Sequence, residues 1–337
     1  MLADLATSLM SVDSTSGSEA RVITLADGIL REKRWHTTRI HVSDGRDAIL
    51  ATLVPPASAQ PFVTLSTHLD TVPPFIAPTR DGDVIRGRGA CDAKGIAAAM
   101  IVAADALRAK DVPIAMLFVV GEETCHDGAH AANEWITASG ARSLALVNGE
   151  PTENTLAVGT KGAMRFTLRT TGVPAHSAYP HLGRSATMDL VKILAELDDV
   201  KVPSDSVLGP TTINLAALAG GVADNIIAPW AEARLMARLV GRDDVFEKIM
   251  RDWIGDRAEF TRGITVPPVK LDTLEGFETS VAAFATDIPS LTNWGTPYLY
   301  GPGSVHVAHK DEEFVLLSDL ERAVVDYQRI VERILAR

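Results

Sequence analysis

The chain has 337 residues, of which 46% are hydrophobic and 22% charged. That balance suits a globular protein burying a full core and excludes a disordered chain; the length exceeds one ordinary domain, so two are expected. The formal net charge of −11, with no concentrated Lys/Arg patch, excludes a nucleic-acid surface.

The N-terminus carries Asp4 and lacks a basic start followed by an apolar run, so it does not read as a signal peptide. Residues 18–34 place Val22, Ile23, Leu25, Ile29 and Leu30 on one helical face, with Ser16 or Ser18 as the cap. Residues 62–66, 114–120 and 143–147 are largely apolar runs, close to the pattern of parallel strands buried on both faces. Helical stretches at 95–110 and 129–139 separate them, an α/β order. After residue 160 the texture changes. Strands at 164–171, 211–218, 231–240 and 258–263 and helices at 185–197 and 243–254 follow the order β-α-β-β-α-β of a ferredoxin-like unit. From about residue 270 the first texture returns, ending in an amphipathic helix at 317–335 with Leu320, Val324, Tyr327, Ile330 and Ile334 on one face. The expected organisation is an α/β domain over 1–160 and 269–337, interrupted by an α+β domain over 161–268. No run reaches the roughly eighteen apolar residues of a membrane span. Cys91 and Cys125 are the only cysteines, too few for a disulfide framework, so a reduced, cytoplasmic setting is expected.

Five short segments concentrate metal-capable side chains, each after an apolar strand or in a Gly/Pro-rich loop, where a rigid scaffold can aim them into one crevice. Ser66-Thr67-His68-Leu69-Asp70 ends the first strand. Residues two apart on a strand point the same way, so His68 can bind a metal while Asp70 accepts the other ring N–H and fixes the tautomer. Gly87-Arg88-Gly89-Ala90-Cys91-Asp92-Ala93-Lys94-Gly95 carries Asp92 into a helix; such an Asp by itself is a turn or cap residue. Glu122 and Glu123 follow a very apolar strand, and two adjacent carboxylates there repel each other and lose solvation, a cost that a cation relieves. Glu150 follows the next strand, and His306 and His309 lie beyond Gly301-Pro302-Gly303-Ser304. Each piece alone reads as a surface or turn residue. One sheet bringing these strand ends to one edge makes them a metal site, and imidazole and carboxylate ligands without thiolate suit zinc in an open catalytic centre.

The set S-T-H-L-D-T-V-P-P, G-R-G-A-C-D-A-K-G, G-E-E-T, G-E-P-T and G-P-G-(x)5-H, in this order over nearly the whole chain, resembles the aminoacylase, carboxypeptidase G, acetylornithine deacetylase and succinyl-diaminopimelate desuccinylase family. The resemblance implies a zinc-peptidase-like catalytic domain, with a mixed, mostly parallel sheet between helices, and a ferredoxin-like lid through which the chain forms a homodimer. It implies two zinc ions, with cobalt able to substitute. One would be held by His68, Asp92 and Glu150, the other by Glu123, His309 and the bridging Asp92. Glu122 would be the general base and Asp70 would orient His68. His309 rather than His306 fits the family spacing, and a cis peptide bond is expected at Asp92–Ala93. In the lid, Gly172-Val173-Pro174-Ala175-His176-Ser177 implies that His176 stabilises the developing oxyanion. Gly220-Gly221-Val222-Ala223-Asp224-Asn225 implies that Asn225 reaches the substrate, and Arg238 is a candidate clamp for a substrate carboxylate.

The implied function is removal of an acyl group from an N-acyl amino acid by metal-activated hydroxide, with no nucleic-acid or membrane partner. A dipeptidase or glutamate-type carboxypeptidase with the same centre is the enzymatic alternative, and a non-catalytic binding module of the same fold is the alternative from another class. The segment Thr286-Asp287 followed by Trp294-Gly295-Thr296-Pro297 replaces the family's glycine-rich run before the last motif. Cys91 and Cys125 are expected to serve packing, and His126, His130 and His181 to be surface residues. A phosphate loop is excluded because Gly87-x-Gly89 with Lys94-Gly95 lacks the required spacing.

Overall fold

The structure, a computed structural model, describes residues 1–58 and 60–337. It divides into two compact units, Met1–Val158 with Lys270–Ser280 and Thr286–Arg337, and Gly159–Val269 with Val281–Ala285. Among the described residues no helix is long and apolar enough to cross a membrane.

The first unit opens with helices α1 (Leu2–Met10) and α2 (Ala20–Glu32), then strands β1 (His36–Ser43), β2 (Arg46–Thr52) and β3 (Phe62–His68). Helix α3 (Lys94–Arg108), β4 (Ile114–Val119), α4 (Asp127–Ser139) and β5 (Ser143–Asn148) follow. With strand Thr296–Leu299 they form a six-stranded sheet in the order β1-β2-β4-β3-β5-(Thr296–Leu299). The last four run parallel and the β1–β2 hairpin joins antiparallel at one edge. Parallelism puts four carboxyl ends at one edge of the sheet, so His68 and the segments after Val119, Asn148 and Leu299 all emerge there. This is the mixed, mostly parallel sheet that the motifs implied. Strand β3 is buried along its whole length, and its two threonines are paired inside: Thr64 Oγ1 lies 2.8 Å from Ser143 Oγ, and Thr67 Oγ1 donates to the Gly149 carbonyl at 2.8 Å.

The β1–β2 hairpin was not legible in the sequence. Its outer strand, His36-Thr37-Thr38-Arg39-Ile40-His41-Val42-Ser43, buries only Ile40, as an edge strand with one solvated face does, and carries no apolar run. Gly45, at φ +74°, turns it. The serine cap expected for α2 is also replaced. The helix begins at Ala20 with Glu19 before it and no side-chain cap, so neither Ser16 nor Ser18 caps it, and the Ser16 hydroxyl donates instead to Asp70 Oδ2 at 2.7 Å.

Helix α3 is buried on nearly all sides, lying against β3 and β4, α1 and the C-terminal helix Leu317–Leu335. Its alanines permit that close approach. Gly95, in its first turn, has no room for a side chain: a Cβ there would overlap the Ala90 carbonyl oxygen and press on its carbonyl carbon. Since backbone and not a flexible side chain must yield, Gly95→Ala is expected to cost about 1–3 kcal/mol, read as a lowered Tm. An unchanged Tm would show that the loop before α3 can move aside.

In the second unit, β6 (Gly162–Thr171), α5 (Ala186–Leu194), β7 (Thr212–Gly220), β8 (Trp230–Leu239), α6 (Asp243–Ile254) and β9 (Glu259–Val266) give an antiparallel sheet in the order β7-β8-β6-β9. Alternate residues of β6 and β8 are buried. Met164, Phe166, Leu168 and Leu235 form one core with Leu190 of α5 and Phe246 and Met250 of α6. The two helices therefore cover one face of the sheet, the ferredoxin-like arrangement. The edge strand β7 is largely exposed.

Candidate active site

The carboxyl ends of the parallel strands bring together side chains from distant parts of the first unit. His68 closes β3 and is buried. Its Nε2 lies 3.0 Å from Asp92 Oδ1 and 3.9 Å from Glu150 Oε2. Asp92 sits in the loop just before α3, at the positive end of that helix, where an anion is favoured. Its other oxygen, Oδ2, is 3.3 Å from His309 Nε2, which in turn lies 3.0 Å from Glu123 Oε1. Two triads result, His68–Asp92–Glu150 and Asp92–Glu123–His309, each with donor atoms within 4.8 Å of one another. They share Asp92. His306 is exposed and stands outside both triads. The Asp92–Ala93 peptide bond is cis.

Asp70 differs in detail from the sequence expectation. His68 Nδ1 lies 2.9 Å from the main-chain carbonyl oxygen of Asp70 and 3.5 Å from its carboxylate. The carboxylate is occupied elsewhere: Oδ1 accepts the Glu122 amide at 3.1 Å, and Oδ2 accepts the Glu123 amide at 3.2 Å and the Ser16 hydroxyl at 2.7 Å. Asp70 thus fixes the imidazole through its backbone and the paired glutamates through its side chain.

The electrostatics of the site favour a cation. Burial, then the Glu150 charge, pushes the Glu122 carboxyl well above the usual range. Burial and the Asp92 charge raise Glu123, and burial raises Glu150 strongly. Burial opposes charge on His68, yet its hydrogen bonds to Asp70 and Asp92 hold its pKa well above the ordinary value. Hydrogen bonds to Asp92 and Glu123 push His309 up to about 10. Asp92 is held low despite burial by its contacts to His309 and His68. Glu150 Oε1 is buried with no hydrogen-bond partner, an arrangement that is costly for a carboxylate unless a cation takes the oxygen. The donor set, the shared carboxylate and this orphaned oxygen all fit two divalent ions of the zinc type.

In the second unit, the segments carrying His176 and Asn225 run side by side. His176 bridges to Ile226, and the Ser177 amide donates to the Asn225 carbonyl at 2.9 Å. Both side chains are exposed, and His176 Nδ1 accepts the Ala178 amide at 3.1 Å. Arg238 lies on β8, facing Ala163 of β6 and Thr212 of β7, and is half-buried.

Several supporting residues escaped the sequence reading. His126, expected at the surface, is buried, with Nδ1 2.8 Å from Asp287 Oδ1; burial favours the neutral ring, but the Asp287 carboxylate raises its pKa. A His-Asp dipeptide three residues past a glutamate pair was the only local signal. Arg46 of β2 makes two bonds to buried Glu19, at 2.8 and 2.9 Å, and also pairs with Asp127 at the start of α4. That network braces the turn bearing Glu122 and Glu123 from behind. His130 and His181 are exposed, as expected. Cys91 is buried and serves packing, whereas Cys125 is exposed and does not.

The sequence pattern of peptidase family M20/M25/M40 matches residues 64–333. A probable carboxypeptidase of Paracoccidioides brasiliensis (strain Pb18) is 38% identical over 320 residues, covering 84% of this chain and 72% of that protein. Among solved structures, a tripeptidase of Staphylococcus aureus superposes with a TM-score of 0.82 at 20% identity, covering 100% of this chain and 98% of the other. A Bacillus subtilis protein described as a dinuclear metal-binding peptidase of the M20 family superposes with a TM-score of 0.71 at 16% identity, covering 98% of each chain.

Proposed function

The chain belongs to peptidase family M20/M25/M40 and is a metallohydrolase of amide or peptide bonds; on that premise we propose that it releases an amino acid from an N-acyl amino acid, using two zinc ions. The observation that carries this reading is the pair of triads sharing Asp92, with Glu122 adjacent to Glu123. In the proposal, His68, Asp92 and Glu150 hold one ion, and Asp92, Glu123 and His309 the other. Bound ions of this type supply a polarised scissile carbonyl and a water made acidic enough to attack near neutral pH.

The chain's own groups do the rest. Glu122 takes the proton of the attacking water and delivers it to the departing amine nitrogen. Its base form is available because cation charge offsets the burial and neighbouring carboxylates that otherwise raise its pKa. Asp70, holding the amides of both glutamates, keeps that carboxylate in place. The roles proposed for His176 (hydrogen bonding to the oxyanion), Asn225 (substrate contact) and Arg238 (carboxylate clamp) rest on their motifs.

A short peptide is the second reading, favoured by the relative's description as a probable carboxypeptidase and the structural neighbour's as a tripeptidase. The two substrates differ only in the group acylating the released amino acid. Assaying N-acetyl and N-succinyl amino acids beside dipeptides and tripeptides, with zinc or cobalt added, separates them. Turnover confined to peptides would overturn the deacylase reading, and turnover of neither class would overturn both.

A homodimer and a reduced, cytoplasmic setting belong to the same proposal. The exposed edge strand β7 presents Leu215 and Leu218, and α5 presents Met188 and Val191, an edge with unpaired backbone groups suited to joining its twin. Leu218→Arg is expected to shift the sedimentation of the chain from dimer to monomer. A wild-type monomer at micromolar concentration would refute the dimer.

A further inference from the structure

Arg88 and Glu313 form a fully buried ion pair that neither the metal triads nor the proton transfer uses. Arg88 Nη1 lies 2.7 Å from Glu313 Oε2, with side-chain exposures of 2% and 0%. A buried pair is weak support for stability, because desolvating both charges offsets their attraction. What distinguishes this one is where its remaining bonds go. Glu313 Oε1 accepts the main-chain amides of Cys91 and Asp92, both at 3.3 Å. Arg88 Nη1 also donates to the Lys310 carbonyl at 3.1 Å, and Nε to the Pro74 carbonyl at 3.3 Å. The backbone repeats the link: the Gly87 amide donates to the Glu313 carbonyl at 3.0 Å, and the Glu313 amide to the Lys310 carbonyl at 3.3 Å.

One ion pair therefore ties the loop carrying Asp92 to the loop carrying His309, the residue just before Lys310. Asp92 belongs to both triads and its two oxygens face the two imidazoles. A small rotation of its peptide unit would disturb both ion positions at once, whereas a shift of His68 or Glu123 would disturb one. Among the described residues, the carboxylate of Glu313 alone grips that peptide through its amides. Without Arg88 beside it, a second carboxylate so close to Asp92 would repel it, and the guanidinium cancels that repulsion without competing for the Asp92 oxygens.

We propose that Arg88 and Glu313 are positioning residues for the shared carboxylate Asp92, setting the affinity of the dinuclear site while touching neither ion nor substrate. The proposal rests on the reading of Asp92 as a ligand to both ions. Partners that orient a metal ligand from behind are typically worth about 10–100-fold in affinity, and the same range is expected here.

The test is cobalt titration of the whole chain, followed by calorimetry and by the visible absorption of bound cobalt, on wild type, Glu313→Gln and the double variant R88M/E313L, which also removes the oxygen that accepts the Cys91 and Asp92 amides. The double variant leaves no unpaired buried charge and keeps the test open if Glu313→Gln folds poorly. Thermal unfolding in chelator is measured alongside. The expected result is at least a tenfold loss of cobalt affinity with an altered absorption spectrum, in a double variant whose Tm in chelator stays close to that of wild type. Wild-type affinity and spectrum in the folded double variant would overturn the proposal. So would a lowered Tm with cobalt binding unchanged, since the pair would then be merely structural. Asp92→Asn is the control: if it too binds two cobalt ions as wild type does, the reading of Asp92 fails, independently of Arg88 and Glu313.

Discussion

Glu122→Gln is expected to retain two equivalents of metal and to lose about 10²–10⁴-fold in kcat. The substitution keeps the volume and the backbone hydrogen bond to Asp70 Oδ1 but removes the carboxylate proposed to accept and return the proton. Because the carboxyl of Glu122 is raised by burial and by Glu150, replacing it by a neutral amide relieves repulsion among the acids. The variant should therefore be no less stable than wild type. Two measurements decide the matter, metal content by elemental analysis and kcat on the best substrate from the screen. Metal loss in step with activity would make Glu122 a ligand, and undiminished turnover would remove it from the mechanism.

Asp92→Asn should have the larger effect on metal. It strips one charge and one strong donor from both triads, so affinity is expected to fall more than about 100-fold, beyond what outer partners are worth. The pH dependence follows with a definite sign. In the metal-free chain His309 is held protonated up to about pH 10 by Asp92 and Glu123, and His68 is likewise raised. Both rings must lose a proton to bind an ion. Metal binding by wild type at neutral pH should release protons and weaken as pH falls. In calorimetry the apparent enthalpy should change with the ionisation enthalpy of the buffer. Asp92→Asn removes the contact contributing most to the His309 shift, so the protons released per ion should decrease. Wild-type binding with no buffer dependence would contradict the protonated imidazoles.

Physical differences among residues explain which parts of this protein were legible in the sequence. Three of the four parallel strands could be read because a strand buried on both faces is mostly apolar, wholly so over residues 114–119, whereas the fourth, Thr296–Leu299, is too short to leave such a run. The amphipathic helix Leu317–Leu335 could be read because burying one face imposes a 3.6-residue period. The metal-capable residues stood out because acids and imidazoles directly after apolar strands are costly unless something compensates them. The hairpin β1–β2 left no such trace, since an edge strand that buries one residue imposes almost no pattern.

Tertiary structure alone decided the supporting contacts. Ser16 and Asp70 are 54 positions apart, His126 and Asp287 161, and Arg88 and Glu313 225. Each of these residues is ordinary in its local context and acquires its role only through its partner. The kind of site this chain builds was set by residue chemistry at strand ends, which is local. Which contacts brace the candidate ligands was set by pairings across the fold, which depend on distances that the order of residues does not contain.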